Sequence, residues 1–292
     1  MEIILENIRE GRDGDIKSFI HTCARRVYRE DRNPVKKVIV TGEIERHILN
    51  SLESREEKRL WTKSNREKSL VTRGKNIPVV RDGSLEFTII LDSYLLWFPE
   101  RFQGTLIHEM IHSLDYSLYF ENVSPHPYKQ CAVLSPDDYH PEYSCWSEYN
   151  ANRASQRALN RLRFASYLDT YDLNGILAVL VDKLKKARYH ETTQLRRNFV
   201  ADVAFSDFNQ SFLMYAGKSA ELSEYRDMLD AFLIDPLAVG IFRDSLRPVV
   251  RLLDTMYDMG TLEKRMTMLP KMRYLYAEII AGLNHFSLHA SY

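Results

Sequence analysis

Residues Thr105 to Tyr116, TLIHEMIHSLDY, carry two histidines four positions apart, with a glutamate directly after the first. On an α-helix that spacing is one turn up the same face, so His108 and His112 can aim ring nitrogens at a single cation. Glu109 falls on the neighbouring strip, where it can reach a water on the ion without binding the ion itself. This HExxH order suits zinc, which acidifies a bound water so that a nearby carboxylate can take its proton. Leu106, Ile107, Met110, Ile111 and Leu114 supply an apolar stripe, so an ordinary amphipathic helix is the competing reading. A histidine in the middle of an apolar helix is costly to bury unless something uses it, which favours the metal.

A catalytic zinc takes three protein ligands and keeps a fourth position open. Two residues downstream qualify. Glu148, in SEYNANRAS, is expected in the first turn of a helix capped by Ser147. Asn152 then lies one turn later on the same face, placed to hydrogen-bond the outer nitrogen or the backbone of a liganding histidine. His140, in DDYHPEYSCW, is the alternative ligand. Asp115 follows His112 by three residues on nearly the same face, and reads either as a group that orients a ligand or as a solvated helix-end aspartate. A developing oxyanion needs a donor besides the metal, and of Tyr139, Tyr143 and Tyr149, all near the third ligand in sequence, Tyr143 is slightly favoured, although a tyrosine-rich loop is more often just packing. Cys145 is expected to be a small buried residue.

An HExxH followed some tens of residues later by a helix reading E-x-x-A-N resembles the gluzincin group of zinc peptidases. The run Glu148-Tyr149-Asn150-Ala151-Asn152 is similar to that of the ImmA/IrrE-type peptidases. The resemblance implies a zincin-like fold, zinc as cofactor, hydrolysis of a peptide bond, and Glu148 as third ligand. TLIHEMIH followed by D-x-H-x-x-Y also resembles the SprT-like DNA-linked peptidases, which implies His140 instead. The gap from His112 to His140 is long for that group, and Pro141 stands where it carries glycine, so Glu148 ranks first. His140 then lines the cleft or donates to the substrate. Both resemblances span only about Leu85 to Ser155. The HExxHxxD pattern of some zincins gives Asp115 its orienting role, and the zincin fold implies that the strand Leu85 to Leu91 offers its edge to an extended peptide.

The elements that must hold these residues follow from periodicity. IKSFIHTCARRVYRE reads as a helix, VKKVIVTG as a strand stopped by Gly42, and EIERHILNSLESREEKRLW as a second helix. TKSNREKSLVTRGKN reads as a loop. IPVVRDG and LEFTIILD read as strands joined by an Asp-Gly turn. ENVSPHPYKQCAVLSPDDYHPEY holds four prolines and reads as a long loop, which in compact domains is often functional. From Ser144 onward the pattern is helical, in SEYNANRASQRALNRLRFASYL, LNGILAVLVDKLKKARY, ELSEYRDMLDAFLI, DPLAVGIFRDSLRPVVRLLDTMY and LPKMRYLYAEIIAGLNHF. The expected architecture is α+β: a zincin-like metallopeptidase domain over residues 1–170 with a small β-sheet and the HExxH helix. A mostly α-helical half over residues 171–292 would recognise a substrate or partner.

Composition narrows the partners. At 292 residues the chain can bury a core without staples, and 40 basic residues balance 40 acidic ones, which gives no support for nucleic acid or an anionic membrane as a bulk partner. Between Asn76 and Asn150 only Arg81, Arg101 and Lys129 are basic among many acids, which suits a cation or a basic substrate segment. Cys23, Cys131 and Cys145 are odd in number and scattered, against a disulfide framework. The opening MEIILENIREGRDGD shows no secretory pattern and no apolar stretch reaches the ~20 residues that span a bilayer, so a cytoplasmic chain is expected. Three features are set aside: His285 and His289 on a frayed helix end, His190 beside Glu191 in a solvated turn, and the alternating charges of SLESREEKRLWTKSNREK on an exposed helix face. The expected function is zinc-dependent endopeptidase action on a protein or peptide substrate, with Glu109 as general base. The alternatives are a DNA-associated SprT-like protease and a non-catalytic zinc module that holds a protein partner.

Overall fold

The computed structural model describes residues 1–8, 12–28, 32–52, 55, 58–59, 62, 73–122, 141–161, 173–200, 206–260 and 262–289. Two compact units make up the chain, Met1–Tyr139 with Ala154–Tyr167, and His140–Arg153 with Leu168–Tyr292.

The first unit contains β1 (Glu2–Leu5), α1 (Asp13–Val27), β2 (Val35–Thr41), α2 (Ile44–Ser51), β3 (Gly74–Arg81), β4 (Ser84–Asp92), a 3-10 turn (Ser93–Trp97) and α3 (Pro99–Asn122). Its sheet is four-stranded and mixed, in the order β1-β2-β4-β3, with β3 antiparallel to β4 and the other pairs parallel. The Asp-Gly turn forms as read: Asp82 and Gly83 have φ of 49° and 75°, the pair of left-handed residues that a type I′ hairpin requires. That tight turn pairs Arg81 with Ser84 and carries the register back to Gly74 opposite Leu91.

Three expectations change here. Gly74, Lys75 and Asn76 belong to β3 and not to a loop, because β4 offers them a full ladder of partners. The strand Leu85 to Leu91 has no free edge, since β4 is hydrogen-bonded to β2 on one side and β3 on the other. The opening EIIL, unassigned from its four residues alone, is the edge strand β1, held by parallel pairing with β2.

Each face of the sheet carries helices. Ile39, Ile77 and Ile90 on one face pack with Ile48 of α2. The alternate residues of β4, Phe87, Ile89 and Leu91, are buried on the other face, where α3 and, against it, α1 are laid. Tyr28, just past α1, ties this layer to α3: its hydroxyl contacts Ser113 Oγ at 2.6 Å and donates to the Met110 carbonyl at 3.0 Å. The Asp92 carboxylate caps the 3-10 turn by accepting from the Tyr94 N–H at 2.9 Å, and Pro99 then opens α3 with Glu100 in its first turn.

The second unit is helical. α4 (Pro141–Arg161) gives it residues up to Arg153, and the remaining helices are α5 (Leu173–Ala187), α6 (Thr193–Asn198), α7 (Ser206–Ser219), α8 (Ser223–Leu233), α9 (Pro236–Phe242), α10 (Leu246–Asp258), α11 (Leu262–Met266) and α12 (Leu269–His289). α4 begins at Pro141, six residues before Ser147, so Ser147 is a fully buried mid-helix residue and not a cap. A proline suits a first helical turn, and burial of Glu142, Tyr143, Cys145 and Trp146 draws the preceding residues into the helix. Glu142 accepts from Arg273 of α12 at 3.0 Å, and Asn209 of α7 donates to Cys145 Sγ at 3.1 Å while accepting from the Tyr276 hydroxyl at 2.9 Å. The apolar run from Asp235 to Tyr257 splits into α9 and α10, because Arg243 and Asp244 adopt φ of 48° and 60° and end the first helix. Among the described residues, no helix is long and apolar enough to cross a membrane, and the cysteines, Cys23 and Cys145, are free and buried.

The hairpin turn yields a direct test. A Cβ at Gly83 meets nothing within 4 Å, so Gly83→Ala adds no clash and only the strain of φ +75°. That strain is about 1–2 kcal/mol. The thermal midpoint of the mutant should fall by roughly 2–8 °C, read by circular dichroism, and an unchanged midpoint would contradict the I′ turn.

Candidate metal centre

α3 delivers the histidine pair as its spacing demands. His108 Nε2 and His112 Nε2 lie 2.9 Å apart, the rings set edge to face at 87°. His112 is 3 % exposed and stacks on Tyr116, with ring centroids 5.5 Å apart and planes 4° from parallel. That stacking fixes the ring which the apolar interior already surrounds. His108 remains partly exposed, on the open side of the pair.

Glu148 completes the group. One ligand atom from each of His108, His112 and Glu148 lies within 4.8 Å of the others. Two Zn–N bonds of about 2.05 Å at the tetrahedral angle hold their nitrogens about 3.3 Å apart, close to the separation seen. The donor set, two imidazoles and a carboxylate, is one that zinc accepts while keeping a position free. These residues therefore fit the metal that their spacing suggests. Asn152, one turn after Glu148, donates its Nδ2 to Glu148 Oε1 at 3.0 Å and to the Glu148 carbonyl at 2.9 Å. Among its bonds, Asn152 thus holds the Glu148 carboxylate, a contact that the sequence did not suggest.

Glu109 has neighbours that sequence reasoning left in a loop. Asn76 of β3, 8 % exposed, donates Nδ2 to the Glu109 carbonyl at 2.8 Å. Gly74, two residues earlier on the same face, passes so close that a Cβ there would lie 2.6 Å from Thr105 Cγ2 and 3.2 Å from Glu109 Oε1. Glycine is required by that approach, which leaves the Glu109 carboxylate its space. The signal was in the sequence: a two-residue Asp-Gly turn extends the hairpin register back to Gly74.

β3 also presents an open edge. The Asp92 N–H donates to Arg73 and the Phe87 N–H to Pro34, so even-numbered residues of β4 bond toward β3. The antiparallel register then turns the main-chain groups of Gly74, Asn76 and Pro78 outward. No strand pairs with that edge among the described residues.

The remaining candidates are placed as follows. Asp115 is 3 % exposed inside α3, which runs on to Asn122, so it is no solvated helix-end residue. Tyr143 is 1 % exposed and sits five residues before Glu148, about 140° around the helix from it, so it is not on the ligand face. Tyr149 points its hydroxyl at Asp254. Burial pushes the Cys145 thiol up to about 12, as befits a packed residue. His140, Tyr139 and Cys131 lie outside the described residues. His285 and His289 are exposed on α12, which stays helical through them, with ring centroids 4.5 Å apart. His190 is in a turn, as read, with its ring 4.7 Å from that of Phe199. SLESREEKRLWTKSNREK lies largely outside the described residues.

Comparison with protein-family models, curated proteins and solved structures returns no match.

The Asn152 contact has a measurable consequence. Removing a group that orients a metal ligand typically costs about 10–100-fold in affinity. Asn152→Ala should weaken zinc binding by that factor in chelator competition, while His112→Ala abolishes it. Wild-type affinity in Asn152→Ala would remove the amide from the site.

Proposed function

We propose that this chain is a cytoplasmic zinc-dependent endopeptidase of gluzincin type, similar to the ImmA/IrrE-type peptidases, acting on a protein or peptide substrate. The observation that carries the reading is the convergence of His108, His112 and Glu148 from two separate motifs, with Glu109 next to His108 in the chain. A pure binding site has no use for a base in that position.

His108 and His112 would hold the metal, with Glu148 as the third ligand through a carboxylate that Asn152 orients. Bound zinc would supply Lewis acidity, polarising a carbonyl and bringing the pKa of a water to near neutrality. The Glu109 carboxylate accepts a proton from the attacking water and passes it to the leaving nitrogen. Gly74 keeps the space in which that carboxylate moves, and Asn76 fixes the backbone that carries it. An extended substrate pairs with the outward main-chain groups of β3, which puts its backbone next to Glu109 and tolerates many sequences. β3 thus takes the role that the resemblance assigned to the strand before the helix.

Elemental analysis and hydrolysis of an unfolded polypeptide such as reduced casein test this together. Wild type should carry about one zinc per chain, lost in His108→Ala and Glu148→Ala and retained in His140→Ala. Glu109→Gln should keep the zinc and lose hydrolysis by about 10²–10⁴-fold. A wild type that takes up no zinc at neutral pH would sink the reading, and a fully active Glu109→Gln would sink its mechanism.

A further inference from the structure

Behind the ligand face of α4 stands a cluster of charge that the chemistry above leaves unused. Arg153 follows Asn152 directly, and its side chain is only 15 % exposed. Its guanidinium donates Nε to Glu221 Oε1 at 3.2 Å, and Nη1 both to Asp254 Oδ1 at 3.0 Å and to the Tyr149 hydroxyl at 3.1 Å. The Tyr149 hydroxyl donates to the same Asp254 oxygen, and the guanidinium lies over the Tyr257 ring, 3.9 Å from its centroid. One cation thus meets two carboxylates, a phenol and an aromatic face, from α10, from the turn that follows α7 and from α4 itself.

Backbone packing clamps the same turn. A Cβ at Gly217 of α7 would lie 2.8 Å from the Tyr149 carbonyl, 3.0 Å from Asn152 Cβ and 3.1 Å from the Arg153 N–H nitrogen. Backbone atoms cannot give way as a side-chain tip does, so α7 and α4 touch here only because residue 217 is glycine. Tyr149 and Arg153 stand about 100° and 140° around the helix from Glu148, whereas Asn152 stands about 40° from it. The clamp therefore grips the flank and back of the turn whose front bears Glu148 and Asn152.

We infer that Arg153 is a positioning residue for the metal centre: by locking α4 against rotation it aims Glu148, the third ligand, and Asn152, which orients it. This rests on the zinc reading above. A planar fork that meets fixed acceptors in several directions resists rotation in a way that a flexible ammonium does not. Helices α7 and α10 of the C-terminal half thereby take part in holding a metal ligand, a task distinct from recognising substrate.

The test is a cycle of zinc affinities on the full chain, measured by chelator competition and, for the weak two-histidine site that Glu148→Ala leaves empty on purification, by direct titration with excess zinc: wild type, Arg153→Met, Glu148→Ala and the double variant. If Arg153 acts through Glu148, Arg153→Met weakens zinc binding by about 10-fold or more in the wild-type background and by less than about 2-fold once Glu148 is alanine. General loosening of the fold would weaken both backgrounds alike, and that result overturns the inference, as does wild-type affinity in Arg153→Met. Should Arg153→Met fail to fold, Arg153→Lys and Asp254→Asn enter the same cycle, with the same two outcomes decisive. A wild type without zinc defeats the metal reading itself and this inference with it, whereas equal losses in a zinc-binding wild type defeat only the role of Arg153.

Discussion

Lone pairs that converge on one point repel each other unless positive charge lies among them. His108 Nε2 and His112 Nε2 stand 2.9 Å apart, and a carboxylate oxygen of Glu148 comes within 4.8 Å of both. A shared proton reconciles the two rings, and Asn152 Nδ2 donates to the carboxylate. A divalent cation satisfies all three at once, and this is the physical ground for reading the group as a metal centre.

The two helices are held by different means. α3 lies on the sheet through apolar contacts, with Leu106 and Met110 fully buried, and its polar ties to neighbours are short and local, such as Tyr28 to Ser113 and Asn76 to Glu109. Burial raises the pKa of the Tyr28 hydroxyl, so it serves as a neutral hydrogen-bonding post and not as an acid. α4 has fewer apolar residues and is secured by charge and close backbone packing: Glu142 with Arg273, Arg153 with Glu221 and Asp254, Gly217 against Tyr149. Pairs of this kind specify geometry more than they stabilise, because desolvation offsets much of the Coulomb gain.

The sequence made the chemistry legible before the architecture. HEMIH states its own geometry, since a spacing of four on a helix permits little else, and Glu148 with Asn152 needed only one further helical turn. The Asp-Gly hairpin could likewise be read because the turn demands those residue types. What stayed hidden depends on partners distant in the chain. Ser147 looks like a helix cap until the burial of Tyr143 and Trp146 draws the helix back to Pro141. Gly74 looks like loop glycine until β4 supplies its ladder and Glu109 its reason. Gly217, Glu221 and Asp254 lie 64 to 105 residues from the α4 residues they clamp, and no local pattern announces such a pairing.

Those differences imply an unequal sensitivity within the site. The histidines share one helix and one face, so their mutual geometry is set by backbone hydrogen bonds and survives small shifts of α3 as a body. Glu148 has no such guarantee. A rotation of α4 of about 20° at a side-chain radius of roughly 6 Å moves its carboxylate by about 2 Å, the length of a metal–ligand bond. In the proposed metal site a third ligand placed this way requires rotational control, and the guanidinium fork of Arg153 together with the close backbone packing at Gly217 would provide it.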